Sequence, residues 1–392
     1  MNNPKTVIGF INGAHFIDHY AMLVFAAAVI VMGPALNMPY GELLPYATPG
    51  FVAFGAGALL NGWLGDRWSR RHMMAVFFLG IGAAEIATGF VQSPVQLGIA
   101  LFAIGIFASI YHPVGTAMLV AHADKLGREV GINGVWGNLG VASSAVVTGA
   151  ICQWAGWRAA FVVPGLATIA FGLVFMAKIR HEAAPARKQA GSPARVAKEA
   201  MWRVVASLVF TIVASSTTFN AITVALPKMF AERLDMFAFQ PATIGLIASG
   251  VYVFGALTQY TVGNLIDRHS LRAVFLPMAV AFPLLLWTAA GLSGVAFIAV
   301  AIGIVAAMFG LVTVNDAMVG KYTSDEWRAR AFAVRYFLGF TAAGASVGLV
   351  AWLHDTGGFG VMLQSFATFC LLIVAGALIF PPEHRPAVQP AE

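Results

Sequence analysis

Residues 62–71 read GWLGDRWSRR, and residues 263–272 read GNLIDRHSLR. A shift of 201 positions superimposes the first glycine, the leucine, the Asp-Arg pair, the serine and the final arginine of the two segments. Each copy lies between two long apolar runs. A repeat of this kind indicates a chain made of two related halves, each built from membrane-crossing segments.

The composition places the chain in a lipid bilayer. It is 59% hydrophobic and only 10% charged, whereas about a quarter of the residues of a soluble domain are charged. Apolar runs long enough to cross the hydrocarbon layer recur along the whole length, and their continuity predicts helices rather than the alternating strands of a barrel. The predicted spans are 7–33, 43–64, 73–92, 95–121, 129–152, 157–179, 203–227, 240–264, 272–291, 294–319, 328–353 and 359–380.

These spans predict an all-α membrane protein with twelve transmembrane helices in two pseudo-symmetric six-helix bundles. We expect one bundle over 1–180, a cytoplasmic linker over 181–202, a second bundle over 203–380 and a disordered cytoplasmic tail over 381–392. The opening segment lacks a basic stretch and a cleavage site, so no removable signal peptide is expected.

The positions of the basic residues indicate the orientation of the chain in the membrane. Nineteen of the 23 Lys and Arg residues fall on one side of the predicted bundle, and only Arg158, Lys228 and Arg233 fall on the other. By the positive-inside rule, the richer side and both termini are predicted to be cytoplasmic in a bacterial inner membrane. A nucleic-acid partner is therefore not expected, and we predict a monomer in membrane lipid without a cofactor.

The duplication extends into the helices. At a shift of 202, Arg128 aligns with Arg330 and Gly137 with Gly339. Two parallel six-helix halves, with Gly-Asp-Arg loops after the second and eighth helices, resemble the major facilitator superfamily. The resemblance implies alternating access to a central cavity, lined by helices one, four, seven and ten and gated by helices two, five, eight and eleven.

The charged loop residues are predicted to act as gates. An acid at the end of one helix can meet the positive N-terminus of another, here the eleventh helix with Arg330 for Asp66 and the fifth with Arg128 for Asp267. Such contacts would lock the cytoplasmic face. The candidate gating residues are Asp66, Arg67, Arg71, Arg128, Asp267, Arg268, Asp316 and Arg330.

Ionisable side chains at membrane depth are functional candidates, because burying them is costly. Asn12, His15, Asp18 and His19 lie within an arc of about 120° on the first helix. Tyr111 and His112 lie at a similar depth on the fourth helix, followed by Pro113. We expect these side chains to converge in the first half.

Three roles are open for this group. Histidine titrates near neutrality, so the residues suit a proton site coupled to solute movement. They could instead join helices by hydrogen bonds. Three imidazoles and a carboxylate could also bind a transition metal, with His15, Asp18, His19 and His112 as ligands.

Three short segments carry a narrower resemblance. Residues 14–18 (AHFID), 109–113 (SIYHP) and 137–140 (GNLG) are similar to the fosmidomycin resistance branch of proton-driven exporters. The resemblance implies roles for His15, Asp18, His112, Pro113 and Asn138. The Gly-Pro pair usual in helix five of such antiporters is replaced here by Ser144-Ala145.

The second half has different polar candidates. Asp316 and Arg335 lie near the cytoplasmic third of helices ten and eleven and could pair, either as a gate or as a contact for an anionic solute. Asn133 is the approximate repeat mate of Arg335 and could add a polar contact from the opposite gate, and Asn220 is the candidate on helix seven to face the cavity. The role of Glu85 on helix three is left open.

The sequence therefore predicts a secondary transporter, rather than an enzyme, that moves a small organic solute, anionic or drug-like, with protons. Efflux by proton antiport is the favoured mode. The alternatives are a transporter of transition metal or metal complexes and a proton-coupled importer of organic anions. No H-E-x-x-H motif and no nucleotide-binding G-x-x-x-x-G-K-[ST] loop is present.

Overall fold

The computed structural model describes residues 3–124, 126–180, 198–234, 240–322 and 325–381. Most of the predicted linker and nearly all of the predicted tail lie outside the described residues. The side chains of Asp66 and Arg330 are also outside the described part of the chain.

The described residues form helices at all twelve predicted spans, so the predicted all-α fold of twelve transmembrane helices is confirmed. We number these helices α1–α12. They are α1 Pro4–Leu36, α2 Thr48–Arg67, α3 Arg70–Gly89, α4 Pro94–His122, α5 126–155, α6 157–178, α7 Lys198–Arg233, α8 Pro241–Arg268, α9 Leu271–Ala289, α10 Gly294–Tyr322, α11 325–356 and α12 359–379. We call α1–α6 the first bundle and α7–α12 the second bundle.

Two pairs of helices are joined by glycine alone. Gly156 separates α5 from α6 with a φ of 79°, and Gly358, with a φ of 67°, separates α11 from α12. Positive φ is accessible to glycine without the steric penalty of a Cβ. These two glycines therefore turn the chain without a loop.

The repeated motif has a local structural meaning. Arg67 and Arg268 are the last residues of α2 and α8, and the serine of each copy caps the next helix. The Ser69 hydroxyl accepts a hydrogen bond from the His72 amide at 3.3 Å, and the Ser270 hydroxyl accepts one from the Ala273 amide at 3.3 Å. Each motif therefore ends one helix and begins the next.

The bundles meet closely at one end of the molecule, which holds the turns at Gly156 and Gly358 and which we call the far end. Here α5 packs directly on the backbone of α8. A Cβ on Gly245 would overlap the carbonyl oxygen of Ala145, and a Cβ on Gly149 would overlap that of Pro241. Small residues at these positions permit the close approach of the two backbones.

The bundles separate at the opposite end, which holds the two repeated motifs and which we call the linker end. Gly131 and Gly134 continue the face of α5 that contacts α8 farther along, yet a Cβ at either position would meet nothing within 4 Å. Gly263 on α8 is equally open. The described chain is thus closed at the far end and open toward the linker end.

We predict that Gly245→Ala destabilises the protein by about 1–3 kcal/mol, because its methyl group must displace the α5 backbone. The matched control is Gly250→Ala on the same helix, where a Cβ would meet nothing within 4 Å. That change should be neutral or stabilising, since alanine favours helix more than glycine does. Thermal unfolding in detergent would compare them, and a Gly245→Ala protein at least as stable as the control would contradict the packing argument.

Candidate functional site

The polar face of α1 points into the first bundle. Asn12 and Asp18 are buried, and the side chains of His15 and His19 are partly buried between them. Because α1 is regular over this stretch, one helical face presents all four side chains at successive turns. The predicted polar stripe is thus present on α1.

The fourth helix changes its winding where it meets this face. Residues Tyr111–Gly115 form a π-helical turn between two α-helical segments, at the position of Pro113. Proline cannot donate the backbone hydrogen bond of a regular helix, and π-turns inside helices are frequent at functional sites. The turn brings Tyr111 and His112 toward α1: their rings lie 4.7 Å and 5.6 Å from the ring of His15.

Asn133 of α5 connects the three helices. Its side-chain amide donates to Asn12 Oδ1 at 2.9 Å, and its carbonyl Oδ1 accepts from the Tyr111 hydroxyl at 2.9 Å. Its backbone oxygen accepts a hydrogen bond from His15 Nδ1 at 2.7 Å. Asn133 therefore orients residues from both α1 and α4.

The bond to Asn133 determines which nitrogen of His15 is available. In a neutral ring with the Nδ1 proton donated to the backbone, Nε2 carries the lone pair. His19 Nε2 lies 3.1 Å from His15 Nε2, so His19 donates there. Gly137 gives the ring its space, because a Cβ at that position would lie 2.6 Å from His15 Nε2.

Asp18 lies beside His112 rather than beside the other histidines. Its Oδ2 is 3.5 Å from His112 Nε2, and its side chain is fully buried, whereas that of His112 is 13% exposed. Neither carboxylate oxygen of Asp18 accepts a hydrogen bond from another described residue. The carboxylate therefore has one close partner, and that partner can itself gain or lose a proton.

The arrangement can hold a proton or a metal ion. One nitrogen from each of His15, His19 and His112 lies within 4.8 Å of the other two. Imidazole nitrogens bind protons near neutral pH and are ligands of zinc and related ions. The hydrogen bond from His15 Nδ1 to a backbone carbonyl is typical of a metal-ligating histidine as well as of an oriented base.

The candidates of the second bundle form a separate group. Arg335 of α11 pairs with Asp316 of α10 and also donates to the carbonyl of Val312 at 3.4 Å. Asn315 donates to Ser215 of α7 at 3.0 Å. The pair between Asp316 and Arg335 that the sequence suggested is thus present, and its role in gating or solute contact stays a prediction.

Two other candidates make contacts that the sequence did not predict. Asn138 of α5 donates to Gln259 of α8, so it joins the two bundles instead of the histidine group. The Asn220 amide donates to the carbonyl of Ser216 on its own helix at 2.9 Å. Gln259 and Gly137 were not among the site candidates; the sequence signals for Gly137 were its repeat mate Gly339 and its place in the 137–140 (GNLG) segment.

The comparisons with known proteins agree with this architecture. The family model described as Major Facilitator Superfamily matches residues 11–240 and 208–392. The chain belongs to the Major Facilitator Superfamily. A bacterial homolog of the human lysosomal transporter Spinster, solved in an inward-facing and occupied conformation, superimposes with a TM-score of 0.77 over 97% of both chains at 12% identity. That likeness supports the facilitator fold.

Curated relatives match shorter stretches. The 4-hydroxybenzoate transporter PcaK of Pseudomonas putida is 24% identical over 156 residues, which are 38% of this chain and 35% of that protein. The puromycin resistance protein pur8 of Streptomyces alboniger is 30% identical over 110 residues, 27% of this chain and 22% of that protein. The chain therefore spans about a third or less of the length of these two relatives.

The candidate gating residues of this facilitator chain are distributed along the open linker end. Asp267 and Arg128 are exposed, and no ion pair joins these two described side chains. Arg71 donates to the carbonyls of Ile179 and Met176, so it anchors the end of α6 within the first bundle. The Arg67 guanidinium lies 4.4 Å from the ring centroid of Trp63.

The proposed contact between Asp66 and Arg330 involves side chains outside the described part. The locks themselves remain predictions for a state closed at the linker end.

We predict that Asn133→Ala destabilises the first bundle by about 1–3 kcal/mol, because Asn12 and Tyr111 lose a buried partner. Thermal unfolding would measure the effect. The matched control is Asn264→Ala, since Asn264 is exposed and bonds only its own helix, and exposed changes of this kind stay within about 0.5 kcal/mol.

A double-mutant cycle sharpens the same prediction. Tyr111→Phe should cost less in the Asn133→Ala background than in the wild type, with a coupling of about 0.5–3 kcal/mol for a contacting pair. Additive effects of the two changes would show that the hydrogen bond between them contributes nothing.

Proposed function

We propose that this facilitator protein is a secondary transporter that moves a small organic solute across a bacterial inner membrane by alternating access, coupled to protons. The observation that carries the proposal is the pairing of a fully buried carboxylate, Asp18, with the titratable ring of His112 at 3.5 Å. This pair lies in a bundle whose partner bundle is separated from it at the linker end.

The burial of Asp18 favours binding of a proton. A carboxylate without hydrogen bonds is expensive to keep ionised in a low-dielectric interior. It can be neutralised by binding a proton or by facing a protonated His112. His15 and His19, bonded to each other at 3.1 Å, lie next to this pair and can accept a further proton. Movement of a solute past these groups would change whether Asp18 and the histidines are protonated.

The orientation is part of the proposal. The linker end carries most of the basic residues, so by the positive-inside rule it faces the cytoplasm. The structure is then a cytoplasm-open state. Closure of that face would bring the α2 and α8 ends toward α11 and α5, where Asp66 with Arg330 and Asp267 with Arg128 would form the locks.

The Arg335 ion pair of the second bundle and the names of two relatives support an anionic or drug-like solute. Arg335 is a fixed cation whose partner Asp316 is only half-buried, with 40% of its side chain exposed, so a carboxylate or phosphonate could compete for the guanidinium. One relative transports 4-hydroxybenzoate and another confers puromycin resistance. Export is the favoured direction, from the similarity of α1, α4 and α5 to the fosmidomycin resistance branch, and import of an organic anion is the alternative.

We predict that Asp18→Asn abolishes proton-coupled flux, because the amide cannot exchange the proton. A thermal-shift screen with 4-hydroxybenzoate, puromycin and fosmidomycin across pH would first select a bound compound, since a ligand of the folded state raises apparent stability. Uptake and release of that compound in proteoliposomes, with and without a pH gradient, would then measure coupling and direction.

The matched control for that experiment is Asp124→Asn, an exposed aspartate in the connection after α4. It should retain the wild-type response to the gradient. Gradient-driven flux that persists undiminished in Asp18→Asn would remove the assignment.

A transition metal as the transported solute is the second candidate function. It is favoured by the three imidazole nitrogens that lie within 4.8 Å of one another. Purified protein should then bind Zn²⁺ by calorimetry, and His15→Ala and His112→Ala should each weaken binding at least about tenfold. His269→Ala, an exposed histidine at the linker end, is the control, and Zn²⁺ binding unaffected by either site change would exclude this function.

A further inference from the structure

A second cluster of titratable groups lies at the far end, away from the histidines of α1 and α4. It consists of Lys228 and Glu232 on α7, His354 and Asp355 at the end of α11, and Tyr40 just before α2. Four of these residues belong to the second bundle and Tyr40 to the first. The cluster therefore spans the boundary at which the two bundles are closed.

The contacts of His354 favour the protonated form of its ring. Its Nε2 lies 3.1 Å from Glu232 Oε1, and its Nδ1 lies 3.6 Å from Asp355 Oδ1. A neutral imidazole has one N–H, whereas the imidazolium has one on each nitrogen. The contact of Nε2 with Glu232 is a hydrogen bond, whereas Nδ1 makes no hydrogen bond with a described residue and faces Asp355 as a longer ion-pair contact. Only the protonated ring is attracted to both carboxylates.

Charged and aromatic groups from three helices and the segment before α2 surround the His354 ring in the described part of the chain. On α7, Lys228 Nζ is 3.2 Å from the same Glu232 oxygen that faces His354. On α11, Asp355 adds the second carboxylate. Among the described residues of the first bundle, the Tyr40 ring faces His354, and Phe359 of α12 contacts the same ring. Arg233, the residue after Glu232 on α7, also attracts the Glu232 carboxylate. Among the described residues, Asp355 forms its ion pair with His354.

The first bundle is held directly by these groups. The Tyr40 ring meets the His354 ring edge-on at 5.0 Å between centroids, and Lys228 Nζ lies 5.8 Å from the Tyr40 centroid. The next residue, Gly41, lies against the Asp355 carboxylate, which a Cβ at that position would overlap. Any movement that opens the far end must separate Tyr40 and Gly41 from this cluster.

We propose that His354, held between Glu232 and Asp355, is a proton-binding site that latches the far ends of the two bundles together. The protonated ring holds both carboxylates in place beneath Tyr40 and Gly41. Loss of the proton removes the positive charge that attracts both carboxylates and weakens the contact of this cluster with Tyr40 and Gly41 of the first bundle. The latch depends on neither the identity of the solute nor the histidines of α1 and α4.

The direction of the pH effect follows from linkage. A proton that binds the closed form more tightly than the open form favours closure wherever it is bound. Closure at the far end should therefore be strongest at acidic pH and should weaken as the pH rises through the range in which histidine titrates. For one linked proton, the ratio of closed to open protein changes by at most about tenfold per pH unit.

Distance measurements between spin labels would test the latch. Val95 at the start of α4 and Val295 at the start of α10 are exposed at the far end, one on each bundle. Both can be replaced by labelled cysteine after the two buried native residues are changed, Cys152→Ala and Cys370→Ala. Electron double resonance of the full chain in lipid nanodiscs from about pH 5 to about pH 9 would follow the closed fraction across the titration range of histidine.

We expect the wild-type distance distribution to shift from short to long as the pH rises. His354→Gln, whose amide cannot gain a positive charge, should be more open at acidic pH and should respond to pH clearly less than the wild type over this range. Glu232→Gln should weaken the response, whereas His269→Gln at the linker end should respond as the wild type does.

Two outcomes would overturn the latch. One is a pH response of His354→Gln equal to that of the wild type, since other groups would then cause it. The other is a wild-type distribution that does not change with pH. Should His354→Gln fail to fold, the Glu232→Gln comparison alone decides, because a full wild-type response in that variant also contradicts the proposal.

Discussion

Backbone polar groups have no water to bond with in the hydrocarbon layer, and this constraint shapes the whole molecule. Each span must satisfy its own amides and carbonyls, so the described chain is helical through the bilayer. Burial of apolar side chains gives little drive for one helix to leave lipid for another. The bundles must instead approach until backbones touch, as α5 and α8 do at Gly149 and Gly245.

The same constraint explains most of the polar side chains. Arg158 donates to the carbonyls of Gly89 and Val91 at the end of α3. Arg233 does the same for the carbonyls that follow α9. These cations at the far end complete helix ends, so their burial needs no solute. Asp18 differs, because it is a fully buried carboxylate whose oxygens accept no hydrogen bond from another described residue. Glu85 is a second fully buried carboxylate and lies beside Thr168 of α6.

Sequence periodicity was sufficient to predict the twelve spans, because a bilayer of fixed thickness imposes a fixed length of apolar helix. It also predicted that α1 and α4 would bring His15, Asp18 and His112 together, since helical geometry and depth determine position within a bundle. Sequence periodicity could not predict the contacts between the two bundles. His354 and Glu232 are 122 residues apart, and the partnership of Asn138 with Gln259 depends on which end of the molecule is closed.

The internal repeat allows equivalent positions of the two bundles to be compared. Gly137 of α5 lies against His15 of α1, and its repeat mate Gly339 of α11 lies against Ser216 of α7, which is the repeat mate of His15. The glycines therefore preserve the packing of the two helix pairs in both bundles.

The residues beside these glycines differ between the bundles. Where the first bundle has titratable His15, the second has a serine. Where the first has neutral Asn133, the second has the permanently charged Arg335, paired with Asp316. A proton bound at His15 or His19 would change the charge at this position of the first bundle, whereas the matching position of the second bundle holds the Arg335 ion pair with Asp316. The two bundles thus share the helix packing at these glycines and differ in the charges beside them.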